Sequence, residues 1–265
     1  MIRALYTSAT GMKAQEMLID VTANNLANVN TSAFKRSMVN FADLIYTTQK
    51  PAGTEIASGV QTPTGVQIGT GVRPAGTTKM FMNGTVQQTG NPLDIAIEGD
   101  GFFRVELPSG EMRYTRDGSF KMDSQGLLVT ADGYRLSGGI TIPQGVTSDK
   151  INIGTDGTVT GVQGGATNAP LNLGQMIVVK FANPAGLSSE GGNLYAETAA
   201  SGPEVQGTPG VDGMGTLRQH SLEGSNVEVV SELISLISAQ RAYEINSRAI
   251  KAGDEMLSTT SEMVR

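Results

Sequence analysis

Residues able to do chemistry are few in this chain, and they are scattered. The single histidine, His220, has no second histidine and no cysteine with which to share a metal ion, so it reads as a surface residue. Asp94, Glu98 and Asp100 would lie on one strand face if the strand ran unbroken, and paired carboxylates can hydrolyse glycosides. Gly99 and Gly101 interrupt that strand, and neighbouring acids are common in turns. Gly69-Thr70-Gly71 lacks the third glycine and the following helix of a dinucleotide site. Neither a Gly-Lys-Ser/Thr phosphate loop nor a Gly-x-Ser-x-Gly elbow occurs. No catalytic residue, cofactor site or metal site is expected.

The distribution of helix breakers is more informative. All ten prolines lie between Pro51 and Pro209, and of the 34 glycines only Gly11 and Gly253 fall outside Gly53–Gly224. Two helical ends therefore enclose a Gly-rich β insertion, an α+β layout that fits an assembly subunit better than an enzyme. A net charge of −6 argues against a nucleic-acid surface, which needs clustered Lys and Arg. Aromatic residues make up only 5% of the 265, with no Trp, so a flat, thin β architecture leaning on neighbours is expected. Without cysteine there is no disulfide framework and no thiolate nucleophile. Lys13, Glu16 and Asp20 interrupt the apolar positions of Met1–Asp20, which reads as an amphipathic helix and not as a cleavable signal. No segment approaches the roughly 20 apolar residues of a membrane span.

Counting by alternate threes and fours from Ile2 gives Leu5, Ala9, Met12, Glu16, Ile19, Ala23 and Leu26, a heptad seam broken at Glu16. It fades at Asn28, Asn30, Thr31 and Ser32, whose side chains favour a helix end. At the other terminus Ser225-Asn226-Val227-Glu228 reads as a capping box. Beyond it Val229, Glu232, Leu236, Ala239, Tyr243, Asn246, Ile250, Gly253, Leu257, Thr260 and Val264 keep the same spacing, with Leu233, Ile237 and Met256 widening the stripe. A helix of about 40 residues is near 60 Å long, too long for a middle domain to cover on one side. Two readings stand: a helix hairpin packed on its own domain, or a coiled-coil segment whose remaining apolar surface is buried by identical subunits. Polar seam positions such as Glu232 and Asn246 suit the second, because they fix register at a cost in stability.

Between Gly90 and Gly224, Asp-Gly pairs at Asp100, Asp117, Asp132, Asp156 and Asp212, with Asn83-Gly84, signal turns of positive φ. Strands are predicted at Leu93–Ile97, Phe102–Leu107, Met112–Thr115, Ser119–Met122, Leu127–Thr130, Ile151–Ile153 and Gln175–Phe181, a spacing that implies antiparallel pairing. Residues Tyr46 to Arg73, rich in Thr, Gly, Gln and Pro, fit either a disordered linker or an extended stretch ordered in an assembly. The domains drawn from this are an N-terminal helix over 1–30, an extended connector over 31–75, a β-rich domain over 76–224 and a C-terminal helix over 225–265.

Several motifs together resemble one family. Ser8-Ala9-Thr10-Gly11-Met12, Ala23-Asn24-Asn25-Leu26-Ala27-Asn28-Val29-Asn30-Thr31 and Phe34-Lys35-Arg36 are similar to the N-terminal signature of the bacterial flagellar rod and hook proteins. Ser225-Asn226-Val227-Glu228, Gln240-Arg241-Ala242-Tyr243-Glu244, Asn246-Ser247 and Asp254-Glu255-Met256-Leu257 resemble its C-terminal signature. Asn91–Ile97, Gly99–Phe103 and Tyr114–Phe120 resemble its β domain. The length and Gly65–Arg73 resemble the distal rod branch, and Tyr46–Pro63 looks like the extra segment that sets distal rod subunits apart from hook subunits. Ala33 departs from the family, which more often carries Gly before the Phe-Lys motif.

The resemblance implies a helical tube of identical subunits, with paired terminal helices lining the protein-export channel and the β domain outside. It implies a straight, rigid rod that carries motor torque to the hook. Implied partners are further copies of the chain, proximal rod and hook proteins, P- and L-ring proteins and the flagellar type III export apparatus, with no nucleic acid and no lipid-embedded segment. The implied location is the basal body, from the periplasm to the outer membrane, reached without a cleaved signal. The alternative is a hook-like, phage-tail-like or secreted tube or adhesin subunit. Self-assembly residues are taken as Leu5, Met12, Ile19, Leu26, Val229, Leu236, Tyr243, Ile250 and Leu257. The family-motif positions are Asn24, Asn25, Asn28, Asn30, Phe34, Gln240, Arg241 and Asn246.

Overall fold

A computed structural model describes residues 2–53, 55–57, 60–61, 63–143, 145–162 and 170–263. The chain divides into two compact units. The first holds helix α1 (Ile2–Ala27), helix α2 (Val229–Met263) and the stretch 37–79. The second holds residues 28–36 and 80–227. Terminal helices thus flank a mainly antiparallel β domain, the α+β class expected.

The stretch read as a connector is split between the units. Within the first, Ser37–Asp43 pairs antiparallel with Val72–Lys79, the register shifting between Asn40 and Phe41. The two strands run on as Tyr46–Lys50 against Val66–Gly69 and Glu55–Ala57 against Val60–Gln61, forming one long hairpin arm. Of the Tyr46–Pro63 stretch, residues 54, 58, 59 and 62 lie outside the described residues. Thr and Val, which suit a pleated strand, make this arm despite the absence of strict alternation.

In the second unit Phe102–Glu106 is the central strand. It pairs with Met112–Thr115 along one edge, while Arg135–Leu136 and Val178–Lys180 share the other edge at different points along its length. Around it the sheet runs in the order Lys121–Met122, Leu128–Val129, Arg135–Leu136, Phe102–Glu106, Met112–Thr115, Leu194–Ala196, Ser188–Gly191, with Val178–Lys180 leading on to Val205–Gly207. Ile151–Ile153, Thr158–Val162 and Pro170–Gln175 make a second, three-stranded sheet. Ile95–Glu98 pairs with Thr216–Gln219, and Val86–Gln88 with Ser221–Glu223.

Successive side chains on a strand face opposite ways. Phe103 and Val105 accordingly enter an aliphatic core with Ile95, Ile97, Val159 and Val178, while Phe102 enters a second cluster with Tyr114, Val179, Phe181 and Tyr195. Of the expectation of a thin domain leaning on neighbours, the thinness is corrected here by two separate cores. The few aromatics are concentrated, Phe81, Phe102, Tyr114, Phe181 and Tyr195 meeting edge to face at 4.7–5.9 Å between ring centres. Such pairs add about 0.5–1.5 kcal/mol each beyond area burial.

Two of the turn glycines work differently from expectation. Gly118 and Gly84 are not at positive φ. A Cβ on them would strike the Ile95 and Gly224 carbonyl oxygens, at 1.6 and 2.0 Å, so glycine is needed there for close backbone approach.

Ala33 shows the reverse. It is buried at φ +55°, a conformation that costs an L-residue about 1 kcal/mol or more. Its N–H donates to the Glu223 carbonyl at 2.8 Å, which holds it in place. Ala33→Gly should change stability by less than about 1 kcal/mol, strain relief offsetting a lost buried methyl. Ala33→Val should destabilise the second unit by about 2–4 kcal/mol, read as a lower urea midpoint of the purified chain.

Candidate functional site

The helices α1 and α2 pack antiparallel. Asn25 meets Glu232, Gly11 lies against Asn246, and Leu5 lies against Gly253. A Cβ on Gly11 would come within 3.0 Å of the Asn246 amide, and one on Gly253 within 2.7 Å of Leu5 Cδ2. The two glycines outside the middle of the chain therefore sit at tight contacts between the helices. Beyond the level of Ile2, α2 continues through Met256 to Met263, and both methionines are exposed.

The seam in α1 is turned by one residue from the predicted one. Ala14, Thr22 and Asn25 are buried, whereas Ala9, Glu16 and Ala23 are exposed. Leu5, Met12, Ile19 and Leu26 are half-buried. Small and polar residues fill the closest contact because α1 packs against both α2 and the hairpin arm. Asn25 shows why. Its side chain accepts the Ser37 N–H at 2.9 Å, donates to the Ser37 carbonyl at 2.9 Å and donates to Glu232 Oε2 at 3.3 Å. Each such bond contributes about 1 kcal/mol, and leaving a buried partner unmade costs more.

On α2, Glu232, Ala239 and Gly253 are buried, and Leu236, Asn246, Ile250 and Leu257 are half-buried. Val229 and Tyr243 are 39% and 41% exposed, and Val264 lies outside the described residues. The capping box does not form. Val227 N–H donates to Ser225 Oγ at 3.3 Å, and α2 begins at Val229 with the Glu232 N–H on the Glu228 carbonyl. Asn226 is engaged elsewhere: it accepts the Arg36 N–H at 2.8 Å and donates to the Met80 carbonyl at 2.7 Å.

A feature the spacing count passed over is a second apolar stripe on α2. Val230, Ile234, Ile237 and Ile245 are 64, 63, 49 and 63% exposed, at intervals of four, three and, across Arg241, eight. They share one helical face. On α1, Ile2 and Tyr6 are exposed as well. Its signal lay in the widening residues Leu233 and Ile237, which lie outside a strict heptad seam.

The other motif positions have separate tasks. Asn28 Oδ1 accepts the Thr31 hydroxyl at 3.1 Å, and Phe34 is buried. Asn24, Asn30, Gln240 and Arg241 are exposed. The candidate acids part company: Asp94 is buried and accepts the Thr89 hydroxyl at 2.7 Å, Glu98 meets Arg218 at 2.9 Å, and Asp100 meets Lys180 at 3.4 Å. His220 is exposed. No group of three or more metal-binding side chains occurs among the described residues.

In the second unit Lys35, Arg116 and Glu223 are all buried together. Glu223 Oε1 lies 2.6 Å from Lys35 Nζ and accepts the Gly84 N–H at 2.8 Å, while Oε2 lies 3.1 Å from Arg116 Nε. Burial lowers the pKa of both cations, and the Glu223 charge opposes that shift.

Three stretches match described families. Residues 5–35 match the flagella basal body rod protein family, 96–161 the flagellar hook protein FlgE/F/G D1 domain, and 218–263 the flagellar basal body rod FlgEFG protein C-terminal family. The chain is 48% identical over 265 residues to the flagellar basal-body rod protein FlgG of Borreliella burgdorferi, covering 100% of both. It is 47% identical to that of Buchnera aphidicola subsp. Schizaphis graminum, over 99% of this chain and 100% of the relative. It is 46% identical to that of Caulobacter vibrioides, over 99% of each. Helices that pair through a signature asparagine, a β unit in the matched region and full-length identity of this order place the chain in the flagellar basal-body rod protein family, in its distal rod branch.

Proposed function

We propose that this rod subunit builds a straight helical tube from copies of itself, with the helix pair lining the channel the tube encloses. The observation that supports this reading is the second stripe on α2, Val230, Ile234, Ile237 and Ile245, which the chain itself leaves exposed. Burying what remains exposed of these four side chains contributes about 1–2 kcal/mol each, repeated at every subunit. Torque is then carried by many repeated contacts, and the role is mechanical rather than catalytic. Proximal rod and hook proteins would adjoin the tube at its two ends, the P- and L-ring proteins would surround it, and the type III apparatus would deliver the chain. The tube would span from the periplasm to the outer membrane. Concentrating the purified chain and viewing it by electron microscopy tests the first step. Hollow tubes with a regular subunit repeat are expected, and monomers at every concentration, with the helices folded, would count against self-assembly.

A further inference from the structure

Lys35, Arg116 and Glu223 bind together stretches that are remote in sequence, all within the second unit. Besides Glu223, Lys35 Nζ donates to the Met82 carbonyl at 2.8 Å. Arg116 Nη1 donates to the Gly99 and Gly101 carbonyls at 2.8 and 2.7 Å, and Nη2 to Asn83 Oδ1 at 2.5 Å. Backbone bonds reinforce the junction: Ala33 N–H to the Glu223 carbonyl at 2.8 Å, Gly224 N–H to Thr85 at 2.8 Å and Asn226 N–H to Phe34 at 3.3 Å. Segment 33–36 closes the stretch 28–36 that joins α1 to the hairpin arm, and 221–226 is the stretch that leads on to α2.

A buried ion pair adds little over a well-packed apolar contact, yet removing one partner is strongly destabilising. This cluster is more lopsided still, because two buried cations share one buried carboxylate, with Asp100 acting on Arg116 only from the surface. Until Glu223 arrives, Lys35 and Arg116 cannot be buried together without mutual repulsion in a poorly solvated site. We propose that the Lys35–Glu223–Arg116 cluster is a latch that makes folding of the whole β unit conditional on both connecting segments, 33–36 and 221–226, being in place. A chain lacking its last strand then stays open instead of persisting half folded. The latch lies inside one unit and does not depend on how subunits assemble.

Hydrogen exchange by mass spectrometry on the full-length chain tests this with Glu223→Gln, Lys35→Met and the double variant. Glu223→Gln should raise exchange about 100-fold or more at the central strand Phe102–Glu106 as well as at 221–226. Lys35→Met, which leaves Arg116 and Glu223 balanced, should raise it less than about 10-fold. The double variant should exchange more slowly than Glu223→Gln alone, because removing Lys35 relieves the repulsion. If Glu223→Gln does not fold at all, recovery of folded protein in the double variant carries the same meaning. Loosening confined to 221–226, damage from Lys35→Met equal to that from Glu223→Gln, or a double variant no better than Glu223→Gln would each overturn the latch.

Discussion

A chain carrying Ile234→Asp is expected to fold its β unit normally and to build no rods. Ile234 is 63% exposed in the chain, so the substitution meets little resistance before assembly. In the proposed tube it would bury an unpaired carboxylate, at several kcal/mol per subunit, in every copy. Leu236→Asp and Ile250→Asp should also abolish rods, by a different route, because these half-buried residues lie on the seam side of α2. Circular dichroism and urea unfolding separate the two cases. Ile234→Asp should match the parent in both, and the seam variants should lose helix signal while keeping the β transition. Motile cells with normal basal bodies carrying Ile234→Asp would remove the stripe from the interface.

The second large effect concerns the hairpin arm. Excising residues 46–69 removes the outer part of the arm from both strands, keeps the Ser37–Asp43 and Val72–Lys79 base, and leaves the cut ends adjacent, since Thr70 Oγ1 donates to the Ile45 carbonyl at 2.7 Å and Leu44 N–H to Gly71 at 2.8 Å. A mere spacer could be shortened at little cost, because loop closure varies slowly with length. If the arm packs between neighbours, it blocks the small sliding of packed elements that lets a helical tube bend. Exposed Tyr46, Val66 and Ile68 on its strands fit that role. The excised chain should then polymerise into rods with curvature or altered length, measured by electron microscopy of purified basal bodies against the parent. Straight rods of unchanged length would reduce the arm to a spacer.

Much of this was legible in the sequence, for identifiable reasons. Both helices announce themselves by their three-four spacing over long stretches free of proline. Strands such as Met112–Thr115 and Ile151–Ile153 follow from short β-rich runs between turn signals. The errors share a cause, which is tertiary demand on polar or small residues. Counting apolar positions cannot see a seam made of Gly11, Ala14, Thr22 and Asn25, so the α1 face came out one residue away. Ser225 and Asn226 look like a helix cap locally, but Asn226 serves Arg36, Met80 and Met82 instead. The strands Ser37–Asp43 and Val72–Lys79 carry too little alternation to stand out. Lys35, Arg116 and Glu223 come from three distant places, and no spacing rule brings them together.

Arg116 also has a bearing on fidelity. Phe102 and Phe103 are neighbours in sequence that enter different cores, one aromatic and one aliphatic. A slip of one residue in pairing would exchange them and turn every side chain of the strand to the wrong face. Two successive bulky rings would make such a slip less conspicuous to the packing than a bulky and a small residue would. The Gly99 and Gly101 carbonyls, gripped by one guanidinium just ahead of these rings, pin the strand at a point where side-chain size gives little guidance. Arg116 thus acts as a frame marker for the sheet, and a single-residue deletion at Gly101 would be read by the fold as a frameshift.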